Sequence, residues 1–544
     1  MKKVRILSLL SVTALVATVL VTAPTVANAA PACDGKSPIQ SCVGVTSDGA
    51  PYAMQVPANF NGTVALYSHG YRYNVDIPSA IPLIGGYKVT NTPEPVPGGN
   101  AAVAQYFFSQ GVAIVGSGFA RQGWNPDSAI KTNVELISVF KKQFPKTTKV
   151  VAWGASLGGV ITQGLAEKHP DLVSAVAPLC MADNIAPQLT MAGDFLWGVK
   201  VLFDPTIKGG NYSAGAAGVA ESYADLGKVF TVMGKLQAAL ATGAWPDTSS
   251  ATGKALAAAG VPSRSALLLL GLMAGLPTQS AHFDSISGPE GPLKLTFPLA
   301  LSPALAILEN GTNAAALAVL ATQDVENQAG GAIFDNTTTD YAARIDGERV
   351  IFNAALSGNT VIDALLGALS AANPGAPRAK ADPAAVAKMK TLHVNTGKIN
   401  LPTILMVGVA DPITPAGASQ RLVDLYAEQY AAEKAAAVKA YRTTRDYKNP
   451  PKNLLMLWNT TPESYTKFNA AGSPITTTPA APGTNHCNFT TSQWLLVARS
   501  LVQASNTGKL PSGGALYTAI RKAGNLSIDK DISVPLLKFY TDNQ

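Results

Sequence analysis

An α/β fold is expected from this sequence: a mostly parallel sheet with helices on both faces, interrupted by a large, mainly helical insertion. Three features argue for it. Short continuous apolar runs occur before position 180 and again after position 400, as in strands buried on both faces. Segments with apolar residues three and four apart separate those runs, which is the helical period. From about Asp183 to Thr396 the chain is rich in Ala, Leu and Gly and holds no long strand-like run.

At 544 residues the chain exceeds what one simple core holds, so a core with a large insertion, or two domains, is expected. Residues 1–30 read as an export signal. Lys2, Lys3 and Arg5 precede an uncharged apolar run from Ile6 to Val21, and Ala27-Asn28-Ala29 supplies the small-x-small pattern for cleavage near Ala29/Ala30. A permanent anchor would need about 20 apolar residues, and Pro24 breaks the segment just after the run. Cys33 as a lipidation site is disfavoured, because Ala30 stands three residues before it where Leu is usual. The expected location is therefore secreted, extracellular or periplasmic, with no stable membrane anchor.

Residues 31–182 form the first part of the predicted core. The stretch 51–110 reads as short strands with turns, and strands are predicted at 63–68, 112–116, 149–153 and 173–179. Ile130, Val134, Ile137 and Phe140 mark a helix over 128–144, and 158–169 reads as another. Residues 183–398 are the predicted helical cap, with helices over 216–241 and 265–275. The apolar stretch 266–276 is too short and too Gly-interrupted to cross a bilayer. Residues 399–544 complete the core, with a strand at 403–408, a helix over 416–445, a last strand at 453–458 and a closing helix over 491–504.

Charged residues make up only 14% of the chain, and mean hydropathy is +0.17. Both point to extensive apolar burial or an apolar working surface. The net charge is +7, but Lys and Arg are scattered with no basic stripe, so nucleic acid is not an expected partner. Four cysteines in an exported chain predict two disulfides. Cys33 and Cys42 are close enough to clip a small loop, which leaves Cys180 with Cys487.

The sharpest motif is Gly154-Ala155-Ser156-Leu157-Gly158-Gly159, set between the strand ending at Trp153 and a helix. A serine hydroxyl becomes a useful nucleophile when a tight turn projects it toward a base, and flanking glycines permit that turn and a close strand–helix approach. An ordinary Gly-rich turn is the plainer reading, which the strand–motif–helix context argues against. A nucleophile of this kind is followed in chain order by an acid and then a histidine. Of five histidines, His69 and His169 lie before or just after the serine, and His282 and His393 within or at the edge of the insertion. His486 alone follows the last predicted strand. Asp411, at the carboxyl end of 403–408, is the predicted acid that would orient the imidazole. A turn or N-cap aspartate is its plainer reading, and Asp183 is the alternative acid. The oxyanion donors are predicted as the N–H groups of Leu157 and Tyr71, with Gly70 close behind, and His69 as a support for that loop.

Together these residues resemble the α/β-hydrolase superfamily, over roughly residues 45–180 and 401–504. The resemblance implies a serine hydrolase of the secreted esterase or lipase kind. Residues 403–415 are similar to the C-terminal part of tripeptidyl-aminopeptidase-like hydrolases, whose Gly-Gly-Pro-Gly oxyanion loop is replaced here by Ser68-His69-Gly70-Tyr71. His486-Cys487 resembles the tannase and feruloyl esterase group, where cysteines beside the serine and the histidine are bridged. Here Ala155 precedes the serine, and a Cys180–Cys487 bridge would serve instead.

The expected function is cleavage of carboxylic esters through an acyl-enzyme, on a small-molecule or lipid-like substrate with an apolar group. No cofactor is expected, since no metal-ligand spacing, phosphate loop or dinucleotide fingerprint occurs. The alternatives are a peptidase or amidase with the same triad, and a non-catalytic binding protein on this scaffold. An aminopeptidase would need an acidic pair in the cap to hold a free amino terminus. Asp324 with Glu326 is the candidate pair, and a solvated helix face is its plainer reading.

Overall fold

The computed structural model describes residues 30–34, 38–81, 85–240, 242–289, 300–477 and 479–542. The predicted export signal therefore falls almost wholly outside the described residues.

Among the described residues ten strands form one sheet: β1 (Ala32–Asp34), β2 (Ile39–Val45), β3 (Pro51–Pro57), β4 (Thr63–Ser68), β5 (Ala113–Ser117), β6 (Lys149–Ala155), β7 (Ala175–Leu179), β8 (Thr403–Gly408), β9 (Leu454–Asn459) and β10 (Leu526–Ser527). Their spatial order is β1-β2-β3-β5-β4-β6-β7-β8-β9-β10. From β5 to β9 all neighbours are parallel, while β1, β2 and β3 add one antiparallel edge and β10 the other. This is an α/β-hydrolase fold: the strand order reverses at β5-β4, and then runs outward in chain order.

The predicted central strands are uniformly apolar because both sheet faces are covered. On β6, Val150 and Ala152 face α2 (Pro126–Gln143) and α3 (Leu157–Lys168). Val151 and Trp153 face the opposite way, toward α1 (Ala101–Ser109) and the C-terminal part of the chain. Two expectations fail. The stretch 51–110 is not strands and turns throughout, since α1 forms there, its first turn capped by Asn100 accepting from Val103 N–H. The strand at Leu454–Asn459 is not the last, because β10 pairs beyond it after a further helix, Gly513–Ala523. Two residues are too few to leave a periodic signal.

Between β7 and β8 the described residues form helices: α4 (Ile185–Leu202), α5 (Gly215–Ala239), α6 (Ala251–Ala258), α7 (Ser263–Ala274), α8 (Ser302–Ala329) and shorter helices as far as Met389. These enclose a second apolar core built from Leu267–Leu270, Leu226, Val229, Ile307, Val319 and their neighbours. By length and composition α8 is apolar enough to span a membrane. In the fold α4, α5 and α7 pack around it, which accounts for an apolar surface on nearly all sides. After β8 come α9 (Ala416–Thr444) and, beyond β9, α10 (Thr491–Thr507). A capping box starts α10: Thr490 Oγ1 accepts from Gln493 N–H, and Gln493 returns the bond to Thr490 N–H.

Candidate active site

Ser156 occupies the turn from β6 into α3 with φ 58° and ψ −125°, a conformation a non-glycine residue adopts only under strain. Two bonds hold it: Ser156 N–H donates to Leu179 C=O of β7 (3.0 Å), and Gly159 N–H donates to Ser156 C=O (2.9 Å). The neighbouring glycines are dictated by packing. A Cβ on Gly158 would lie 2.0 Å from Ser68 O, and one on Gly154 would lie 2.4 Å from Gly158 O. No side chain fits where α3 approaches β4 this closely. The sequence therefore folds here into a projecting serine, 8% exposed.

His486 Nε2 lies 2.8 Å from Ser156 Oγ, and His486 Nδ1 lies 3.0 Å from both carboxylate oxygens of Asp411. The three side chains come from residues 330 and 75 positions apart in sequence. Asp411 is fully buried at the end of β8. Its Oδ1 accepts from Ile413 N–H and Thr414 N–H (both 2.9 Å), and its Oδ2 from Cys487 N–H (3.1 Å) and Thr414 Oγ1–H (3.2 Å). Asp411 is thus a turn-forming aspartate and the imidazole's partner at once; the two readings of Asp-Pro coexist.

The loop carrying His486 is tethered on two sides. Ala410 N–H donates to Gly483 C=O (2.9 Å), joining the acid and histidine loops. The Cys180–Cys487 disulfide fastens the histidine loop to the end of β7, and Cys33–Cys42 clips β1 to β2. Asn485 and Cys487, on either side of His486, both have left-handed backbone (φ 60° and 49°). A strained loop that holds its shape requires such restraints.

Asp183 does not reach His486. Arg421 Nη1 donates to it at 2.7 Å, and the Tyr540 hydroxyl donates to the same carboxylate. Burial pushes its pKa up, and Arg421 partly offsets that rise. The alternative acid is thus taken up in a contact among the insertion's first residues, α9 and the C-terminal segment. Asp324 and Glu326 correct a second expectation, since neither lies on a solvated face. Asp324 is fully buried and accepts from Arg121 Nη2, Trp124 N–H and Asn74 Nδ2, while Glu326 accepts from Asn211 N–H and Tyr212 N–H. Every oxygen on this pair is committed within the protein, so the pair is not offered to an amino terminus.

The turn His69-Gly70-Tyr71 lies against the serine; a Cβ on Gly70 would sit 3.4 Å from Ser156 Cβ. His69 is buried, with Nδ1 2.7 Å from Gly70 O and its ring 4.7 Å from that of Phe119. Burial lowers its pKa to about 4, so the imidazole is neutral and its Nδ1–H holds the turn. Leu157 heads α3, where backbone N–H groups lack an intrahelical acceptor.

A cavity of about 90 Å³ opens on Ser156, Leu157, Tyr71 and Thr414. Most of its wall is apolar, from α4 (Ile185, Leu189, Phe195), α8 (Leu317, Ala321) and Leu276. Among the described residues, no charged side chain lines it. Thr414, Trp124 and Gln188 line it as well, and sequence patterns did not single them out. A signal existed only for Thr414, which shares the Asp-Pro-Ile-Thr-Pro turn with Asp411.

Asp411, His486 and Cys487 are also the one group of potential metal ligands lying close together among the described residues. The histidine is engaged with the serine and the acid, and the cysteine sulfur is in a disulfide, so the donor set does not suit a cation.

Neither protein-family models nor curated proteins yield a match to the sequence. Among solved structures, the chain is similar to feruloyl esterase B from Aspergillus oryzae (14% identity, 87% of this chain and 81% of that chain, TM-score 0.32). It is similar to another esterase from Aspergillus oryzae (10% identity, 77% and 72%, TM-score 0.33). It is also similar to an esterase from Pyrococcus furiosus (11% identity, 31% of this chain, TM-score 0.21), of whose length it spans 64%.

Proposed function

We propose that the protein is a serine hydrolase that cleaves carboxylic esters through an acyl-enzyme, with Ser156 as nucleophile, His486 as base and Asp411 as the acid orienting it. One observation carries the reading: the unbroken hydrogen-bond line Ser156 Oγ–His486 Nε2 (2.8 Å) and His486 Nδ1–Asp411 (3.0 Å), whose serine lines a mostly apolar cavity.

In the first half-reaction Ser156 Oγ adds to the substrate carbonyl carbon and passes its proton to His486 Nε2. The carbonyl oxygen becomes an oxyanion facing the Leu157 and Tyr71 N–H groups. Collapse of this intermediate breaks the ester bond, and the departing alkoxide takes the proton from His486. A water molecule then gives a proton to His486 and adds to the acyl carbon. The second intermediate collapses to the free acid and restores the serine. Asp411 holds the imidazole in place and stabilises the imidazolium.

An ester is favoured over a peptide with a free amino terminus, because the described cavity wall holds no carboxylate to pair an ammonium group. The two disulfides fit an oxidising compartment, so we assign the protein to the cell exterior or periplasm. The test is hydrolysis of a short and a long p-nitrophenyl ester, beside an aminoacyl anilide and the Ser156→Ala variant. Ester turnover lost in the variant, with the anilide untouched, is the expected result. Anilide cleavage would move the assignment to an amidase, and no turnover by folded protein would favour a binding role.

A further inference from the structure

Tyr71, Trp124 and Gln188 line the cavity at Ser156, each carries buried polar side-chain atoms, and most of the other lining residues are apolar. Tyr71 Oη, Trp124 Nε1 and both amide atoms of Gln188 are buried and have no hydrogen-bond partner among the described residues. Buried polar atoms are nearly always paired, so several together in one cavity need an explanation. Among the described residues, no others with such unpaired atoms share the cavity with Ser156. They also come from both parts of the fold: Tyr71 follows β4, Trp124 follows β5 and Gln188 sits on α4.

Their chemistry restricts what they would bind. An indole N–H only donates, a phenol donates or accepts, and a carboxamide does both. Burial keeps the Tyr71 hydroxyl protonated well above the ordinary tyrosine range, so it remains a donor. The complementary group is therefore an acceptor. It is also uncharged, because no charged side chain among the described residues lines the cavity to balance an ion taken out of water.

We propose that the cavity selects esters whose apolar part carries a neutral oxygen (hydroxyl, ether or carbonyl), bound by Tyr71 Oη, Trp124 Nε1 and the Gln188 carboxamide, over esters of plain alkyl groups. This rests on the reading of Ser156 as an ester-cleaving nucleophile, and it adds a polar subsite to the apolar pocket.

The experiment compares p-nitrophenyl hexanoate with analogues in which one methylene at carbon 4 or 5 is replaced by an ether oxygen or a carbonyl. These positions are far enough from the ester to leave its intrinsic reactivity nearly unchanged. A parallel series of acetates varies the alcohol in the same way, so that either side of the ester is covered. The quantity read is the kcat/KM ratio of oxygen-bearing to alkyl ester, in the wild type, Gln188→Leu and Trp124→Phe. In the wild type the ratio should exceed unity by about tenfold for at least one analogue, the worth of one buried hydrogen bond. It should fall by about the same factor in Gln188→Leu. That variant should also melt no lower than the wild type, since an apolar side chain replaces unpaired polar atoms. Alkyl turnover with no oxygen preference in either series, or a preference that both variants leave intact, overturns the subsite alone. Absence of turnover for every ester overturns the ester reading and the subsite with it.

Discussion

In the sheet core, polar side chains gather where strands end: buried Ser156 after β6, buried Asp411 after β8 and the partly exposed His486 in the loop beyond β9. In the helical insertion, buried charges are closed into pairs and backbone contacts: Arg344 between Asp194 and Asp542 (2.6 Å to each), and Glu326 on Asn211 and Tyr212 N–H. Parallel strands deliver all their carboxyl ends to one edge, where loops with few fixed partners can converge on a reacting group. Helices satisfy their own backbone, so an insertion built from them contributes mainly a wall, and its buried charges hold that wall together. Chemistry is thus expected to depend on the core and selectivity on the insertion.

Substitutions at the strand ends test this division most severely. Ser156→Ala is expected to lower ester kcat by roughly 10⁴- to 10⁶-fold, and Asp411→Asn by roughly 10⁴-fold, with unchanged melting cooperativity. A loss below tenfold in either variant would remove the chemistry from the core's edge.

Arg344→Met acts on the insertion and on its contact with the C-terminal segment, away from the strand ends that carry Ser156 and Asp411. It leaves Asp194 buried without its cation and should cost about 3–5 kcal/mol of stability by denaturant unfolding. In surviving folded protein its effect should appear in KM and substrate preference rather than in the chemical step. An equal loss of kcat and kcat/KM would blur the division.

The two disulfides differ in the same sense. Cys180–Cys487 spans 307 residues and encloses the whole insertion, whereas Cys33–Cys42 spans nine. Double Ser replacement of the first pair should cost about 2–5 kcal/mol, more than replacement of the second, because loop entropy grows with length. It should also lower activity, because His486 neighbours the bridge. Equal thermal shifts for the two pairs would contradict the loop-length account.

The smallest effect concerns pH. His69 has its folded pKa depressed to about 4 against an ordinary 6.5. Between those values the unfolded chain binds a proton that the folded one does not, so stability is full above pH 6.5 and declines toward pH 4. At pH 5 the loss from this group is about 2 kcal/mol. Denaturant unfolding at about pH 7 and about pH 5 should give a smaller difference for His69→Phe than for the wild type. The same difference in both would mean that other groups carry the acid sensitivity.

Much of the core was legible locally. Residues 63–68 and 403–408 match β4 and β8 because a strand buried on both faces needs a continuous apolar run, and such runs need no tertiary context to recognise. The helix at Ala101–Ser109 was not, because its start depends on one Asn side chain and its neighbourhood is rich in Gly and Pro. Glycines around Ser156, a single late histidine and an aspartate after a strand were enough to nominate Ser156, His486 and Asp411, since chain order alone narrows the choice. The carboxylates of Asp183, Asp324 and Glu326 could not be sorted that way. Their roles depend on Arg421, Arg121 and the Asn211–Tyr212 backbone, far off in sequence.

Periodicity, turn chemistry and chain order are local or one-dimensional properties. They suffice for the central strands, the helical character of the insertion and the residue types able to carry acyl transfer. The cavity is different. Its wall joins residues 71 and 124, the turn at 156, α4, α8 and the turn at 412–414, and Tyr71, Trp124 and Gln188, with their unpaired side-chain atoms, line one cavity only once the insertion has folded against the strand ends. No local pattern encodes that meeting, because which polar atoms remain without partners depends on every segment packed around them.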